Sequence, residues 1–176
     1  MMGRVIGWLL LLSVALAGCT LPAAAQNVRP LSSVQVLAQS GVAASWTGTT
    51  DEVALATVNV PGGLLGLNSA IRVKVVFTTT NSANNKTLRV RYGGILMGGQ
   101  TVTTVASSNF EWVIRARGVR NSQVSFPQPA AQTTALSPIT SSINSDSDQP
   151  LVISCSVALS SESCGMEGYT IELMSP

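Results

Sequence analysis

From about residue 53 onward the apolar positions recur every second residue, the spacing of strands that bury one face. Val53 to Val60 alternates and stops at Pro61-Gly62-Gly63. In the next run Ile71, Val73, Val75 and Phe77 share one face, and Arg72, Lys74 and Thr78 share the other. Asn81-Ser82-Ala83-Asn84-Asn85 reads as a turn, because Asn tolerates the left-handed conformation and bonds its own backbone. After it Leu88, Val90 and Tyr92 point inward while Arg89 and Arg91 point outward, which predicts a hairpin across that turn. Further strands are expected at Thr101 to Ala106, Phe110 to Ala116, Val124 to Phe126, Leu151 to Leu159 and Tyr169 to Met174. A looser, proline-punctuated stretch runs from Gln128 to Asp148. About eight short strands without a sustained 3.6-residue period predict an all-β, antiparallel β-sandwich, jelly-roll-like in architecture. Its expected interior contains Ile71, Val73, Val75, Leu88, Val90, Phe110, Ile114, Ile153, Ile171 and Leu173.

The first residues follow a different pattern. The apolar run Val5 to Leu16 lies behind Arg4 and is too short to cross a bilayer as a folded element, so it reads as an export leader. Leu16-Ala17-Gly18-Cys19 resembles the bacterial lipobox, in which the cysteine becomes the lipidated first residue of the mature chain. Ala23-Ala24-Ala25 before Gln26 offers another cleavage site, which would release a soluble protein. A third reading is a misassigned start near Val28 or Val34. The organisation expected is therefore a signal peptide with lipobox at 1–19, a flexible tether or arm at 20–43 and the β-sandwich domain at 44–176.

Composition narrows the function classes. The net charge is +2, only 10% of residues are charged, and loss of Arg4 with the leader leaves +1. No global field draws the chain to nucleic acid or to an anionic bilayer, so no nucleic-acid partner is expected and membrane contact is expected only through a lipid on Cys19. The surface of hydroxyls and amides suits burial against neighbouring copies, since few charges need desolvating. Histidine is absent, which removes Ser-His and Cys-His nucleophilic machinery, imidazole metal sites and a neutral-pH switch. Of the three cysteines, Cys155 and Cys164 form a bridge if Cys19 carries lipid, closing the short loop Ser156 to Ser163. The other reading of that pair is two free, small apolar side chains.

The candidate chemistry is sparse. Lys74 and Lys86 are the only lysines, and neither context suggests the desolvated base of a Ser-Lys dyad. Asp51 and Glu52 are adjacent and so point to opposite faces of an extended chain, which suits a solvated loop end. Asp146-Ser147-Asp148 offers two carboxylates to a calcium ion or is a polar loop before Pro150. The sharpest feature is cationic: the predicted hairpin brings Arg72, Lys74, Arg89 and Arg91 to one face, where like charges opposite one another destabilise. Neutralisation falls to Glu111, Glu167 or Glu172, to an anionic ligand, or to another subunit. The apolar trio Ile95-Leu96-Met97, between two Gly-Gly pairs, either caps the barrel end or meets another copy. Of Trp46 and Trp112, one is expected to anchor the core, and a surface tryptophan would suit stacking on a glycan. No catalytic residue, cofactor or metal is expected.

The block Trp46-Thr47-Gly48-Thr49-Thr50-Asp51-Glu52, the run Asn81 to Arg91, Ala116-Arg117-Gly118, Asn121-Ser122-Gln123 and the segment Glu167 to Leu173 together resemble small β-sandwich virion surface proteins of tailed bacteriophages. The resemblance implies a non-enzymatic structural or attachment module, a capsid decoration or a tail or fibre appendage on the virion surface. It also implies a homotrimer, with capsid or tail proteins or a cell-surface glycan as partners. The leader with Cys19 departs from that pattern and supports an alternative. In it the same module serves an exported, prophage-encoded surface lipoprotein of the periplasm or outer membrane.

Overall fold

The structure is a computed structural model that describes residues 33–126 and 137–176, so Cys19 and the leader lie outside the described residues. Eleven strands and no helix are found there: β1 (Val34–Ser40), β2 (Ala44–Thr47), β3 (Val53–Val60), β4 (Ala70–Thr79), β5 (Lys86–Tyr92), β6 (Ile95–Val102), β7 (Ser107–Ala116), β8 (Gln123–Ser125), β9 (Ile139–Ser141), β10 (Gln149–Val157) and β11 (Ser163–Met174). They form two antiparallel sheets. The larger has the order β1-β11-β4-β7-β8-β9, with β2 also paired to β11, and the smaller has the order β3-β10-β5-β6. One apolar cluster joins the inner faces of both, as period-two burial requires.

Every residue expected inside is buried there except Phe110, which is half-buried. Its ring stands 6.5 Å from that of Phe77 and 5.6 Å from that of Trp112. Trp112 is the tryptophan that enters the core, at 2% exposure, whereas Trp46 on β2 is 48% exposed.

Three expectations about the chain's path are corrected. The stretch from Val34 to Ser40 is not tether: it pairs with the full C-terminal half of β11, from Val34 opposite Met174 to Ser40 opposite Tyr169. Leu37 is left out of that register, which lets Val36 and Ala38 both pair despite a local irregularity. The runs on either side of Asn81–Asn85 do not form a hairpin. β4 pairs with β11 and β7, β5 pairs with β10 and β6, and the turn carries the chain from one sheet to the other. Alternation specifies which face a side chain takes but not which sheet its strand joins, so both paths satisfy the same pattern. The third correction concerns the expected strand from Thr101, which ends at Val102 because its apolar start is the trio Ile95-Leu96-Met97. That trio forms the first residues of β6, with Ile95 exposed and Met97 buried.

The true hairpin is β5–β6. Gly93 and Gly94, with φ of 54° and 81°, make a two-residue turn in which both central residues need positive φ, closing Tyr92 onto Ile95. Further along β6, Gly98 lies under the Trp112 ring reaching over from the other sheet. A Cβ there would sit 2.3 Å from Trp112 Cδ1. Gly98→Ala is therefore expected to overpack the core and cost about 2 kcal/mol, measured as a lower urea midpoint with an unchanged slope.

Candidate functional site

The four cations do not make one patch. Outward positions of β4 carry Arg72 and Lys74, and outward positions of β5 carry Arg89 and Arg91, so the pairs lie on the outer faces of different sheets. Each pair has its own carboxylate. Glu172, directly opposite Arg72 across β11 and β4, takes Arg72 Nε at 2.5 Å and Lys74 Nζ at 3.6 Å. Arg91 grips Glu52 with a fork, Nε to Oε1 at 2.8 Å and Nη2 to Oε2 at 2.7 Å, while Arg89 Nε lies 3.7 Å away and Ser154 Oγ donates at 2.6 Å. Glu52 is the exposed loop end expected, just before β3, but its carboxylate is ion-paired there. Donation from Arg72 holds the Glu172 carboxyl below the usual range. Donation from Arg91 carries Glu52 further, from 4.5 down to about 2.

A second polar cluster sits where the chain crosses between sheets. The context of Lys86 suggested no desolvated lysine, yet it is fully buried. Its Nζ donates to Ser82 O at 3.0 Å, Ser82 Oγ at 2.8 Å and Asn84 O at 2.8 Å. The Ser82–Lys86 spacing is that of a dyad, but an ammonium with all three N–H groups donated has no lone pair to offer the serine. The Ser82 hydroxyl instead donates to Glu162 Oε1, which also accepts from Asn84 Nδ2 at 3.0 Å. These two bonds lower the Glu162 pKa. Its other oxygen, Oε2, has no hydrogen-bond partner among the described residues. Close by, a disulfide joins Cys155 of β10 to Cys164 of β11, Cα atoms 6.3 Å apart, and so ties the two sheets together. The position of Lys86 was available in the sequence, since it is in phase with Leu88, Val90 and Tyr92.

The carboxylates of Asp146 and Asp148 diverge instead of converging on an ion. Asp148 accepts from Asn59 Nδ2 at 2.9 Å and from Gly62 N at 2.8 Å, while Asp146 pairs with Arg120 at 3.4 Å. Together they hold the 59–63 turn. Among the described residues no group of three or more His, Cys, Asp or Glu side chains is placed to hold a metal ion.

Alongside this loop opens a cavity of about 730 Å³, which sequence reasoning missed because four separated segments build it. Gly93 and Ile95 form one wall, Arg117, Asn121 and Ser122 a second, and Thr140 to Asn144 with Gln149 the rest. Buried Gln123 fixes that last wall. Its amide donates to Arg120 O and Ile143 O at 3.2 and 2.8 Å and accepts from Ser141 Oγ and Ile143 N at 2.7 and 3.1 Å.

Two outcomes follow from these clusters. A carboxyl held below its unfolded value stabilises the fold fully above about pH 4.5 and loses that contribution as pH falls toward 2. Glu52→Gln should therefore flatten the fall of the urea midpoint between those values, leaving the smaller slope due to Asp148, Glu162 and Glu172. Lys86→Met should cost about 3 kcal/mol, because two part-buried carbonyls lose a charged donor, and hydrogen exchange should quicken first in residues 80–86. No protein-family model matches this chain, and no curated protein matches it.

Proposed function

We propose that the protein is a non-enzymatic structural or attachment module of the bacteriophage virion type, a capsid decoration or a tail or fibre appendage on a jelly-roll β-sandwich. The observation that carries the reading is the strand order. Counting β2 as the continuation of β1 and setting aside the β8–β9 extension leaves eight strands. Their orders, 1-8-3-6 in one sheet and 2-7-4-5 in the other, match a double Greek key wound from one antiparallel ribbon. The surface chemistry supports a contact role as well. Arg72, Lys74, Arg89 and Arg91 are each ion-paired within the chain, two to a glutamate, which lowers the charge that a contact on those faces must desolvate.

The reading includes a homotrimer. Its support is apolar: Val34 and Val36 on the edge strand β1 are 54% and 49% exposed, and Trp46 lies on neighbouring β2. An intersubunit contact from the four cations is set aside, since Glu172 and Glu52 already engage them.

A specific observation favours a second reading, the exported surface lipoprotein of the periplasm or outer membrane. The Cys155–Cys164 bridge belongs to an oxidising compartment, as does a leader ending in Leu16-Ala17-Gly18-Cys19. Two measurements separate the readings. Antibody against the protein should label purified phage particles, and unlabelled particles would defeat the first reading. A diacylglyceryl mass on Cys19 of the mature protein would establish the second. Light scattering should return a trimer that Arg89→Glu leaves intact and Val36→Lys dissociates.

A further inference from the structure

The cavity between the β5–β6 hairpin and the β9 wall has the character of a prepared site. Its volume, about 730 Å³, lies within the range of small-ligand sites. Both sheets contribute to it, so its shape is set by the packing of the domain. Gly93 approaches so closely that a Cβ there would meet Ile143 Cγ2 at 2.7 Å and Gln149 Oε1 at 2.8 Å. The opposite wall is held by all four hydrogen bonds of the buried Gln123 amide. A pre-formed wall spares a ligand the entropy of ordering it.

The lining is chemically selective. Asn121, Ser122, Thr140 and Ser142 present amides and hydroxyls that have no side-chain hydrogen bond among the described residues. Such groups both donate and accept, as the ring hydroxyls of a sugar do. Ile95, 47% exposed at the rim, offers an apolar surface to the C–H face of a pyranose. One charged side chain lines the cavity, Arg117. Whereas Arg72, Lys74, Arg89, Arg91 and Arg120 are all ion-paired, Arg117 has no carboxylate partner among the described residues. A guanidinium fork there matches the planar oxygens of a carboxylate or the oxygens of a phosphate.

We propose that this cavity binds a saccharide bearing an anionic group, a carboxylate or a phosphate, with Arg117 on the anion and the neutral side chains on the ring hydroxyls. The proposal deepens the attachment reading above and rests on it. The test is a titration of the isotope-labelled protein, as processed by the expressing cell, followed through its backbone amide resonances. The probes are trigalacturonate, glucose 1-phosphate, neutral maltotriose and inorganic phosphate. Either anionic saccharide should shift the amides of Gly93, Asn121 and Ser142 at millimolar concentration, and the tighter of the two identifies the anion. Arg117→Ala should weaken that binding by about tenfold or more, while Arg115→Ala, a cation on β7 outside the cavity lining, should leave it unchanged. Equal affinity for inorganic phosphate would reduce the site to a simple anion contact and overturn the proposal. Equal affinity for maltotriose would do the same by removing the role of Arg117. An absence of shifts with every probe would overturn it too, while particle labelling with the antibody tests the attachment reading separately.

Discussion

Lys86 holds one of the six points, among the described residues, at which the chain passes from one sheet to the other, and the two-layer arrangement depends on such passages. A strand leaving one sheet cannot carry its ladder across the gap of roughly 10 Å to the next. Its backbone groups must find partners outside either ladder, and here the carbonyls of Ser82 and Asn84 find a buried ammonium. The charge is tolerable in the interior because Ser82 relays it to Glu162, a residue of the last crossing between the sheets, from β10 to β11. The disulfide at that same crossing secures the two layers covalently where the polar cluster secures them by hydrogen bonding. Removing Lys86 weakens these two of the six crossings at once.

A second constraint governs the outer faces. Each sheet carries two cations on the strand that also supplies core residues, and each is served by a single glutamate. Glu172 reaches its partners across a strand pair, and Glu52 reaches Arg89 and Arg91 from just before β3. Each cluster therefore keeps one positive charge in excess of its glutamate. Arg115 and Arg117 have no such carboxylate among the described residues, and Arg117 also lines the cavity.

Much of the fold was legible in the sequence, because alternation alone sorts Ile71 from Arg72 and Val90 from Arg91. The misplaced hairpin shows where that legibility ends. Five turn residues serve a tight reversal and a crossing between layers equally well, and only the long-range pairing of β10 with β5 decides between them. Lys86 was in phase with the core strand, yet its type argued for solvent, and the compensating carbonyls lie in the turn itself. Glu52 was unreadable for a different reason: its partners are 37 and 39 positions away on a strand whose neighbour could not be inferred. The cavity was least legible of all, since none of its residues is unusual alone and its chemistry arises from their convergence.

The pairing of β1 with β11 has a geometric consequence. Ser175 N donates to Ser33 O at 3.0 Å, so the chain enters and leaves the described domain at one pole. The eleven-residue run of β11 from Cys164 to Met174 spans about 33 Å, which puts the crossings at residues 80–85 and 158–162 at the opposite pole. Whatever precedes Ser33, a support attached there grips the domain by its edge strand and leaves the disulfide-bearing pole pointing away. Pulling on that support loads the β1–β11 ladder before any other contact, so the domain's resistance to force is set by seven residues of edge strand and not by its core.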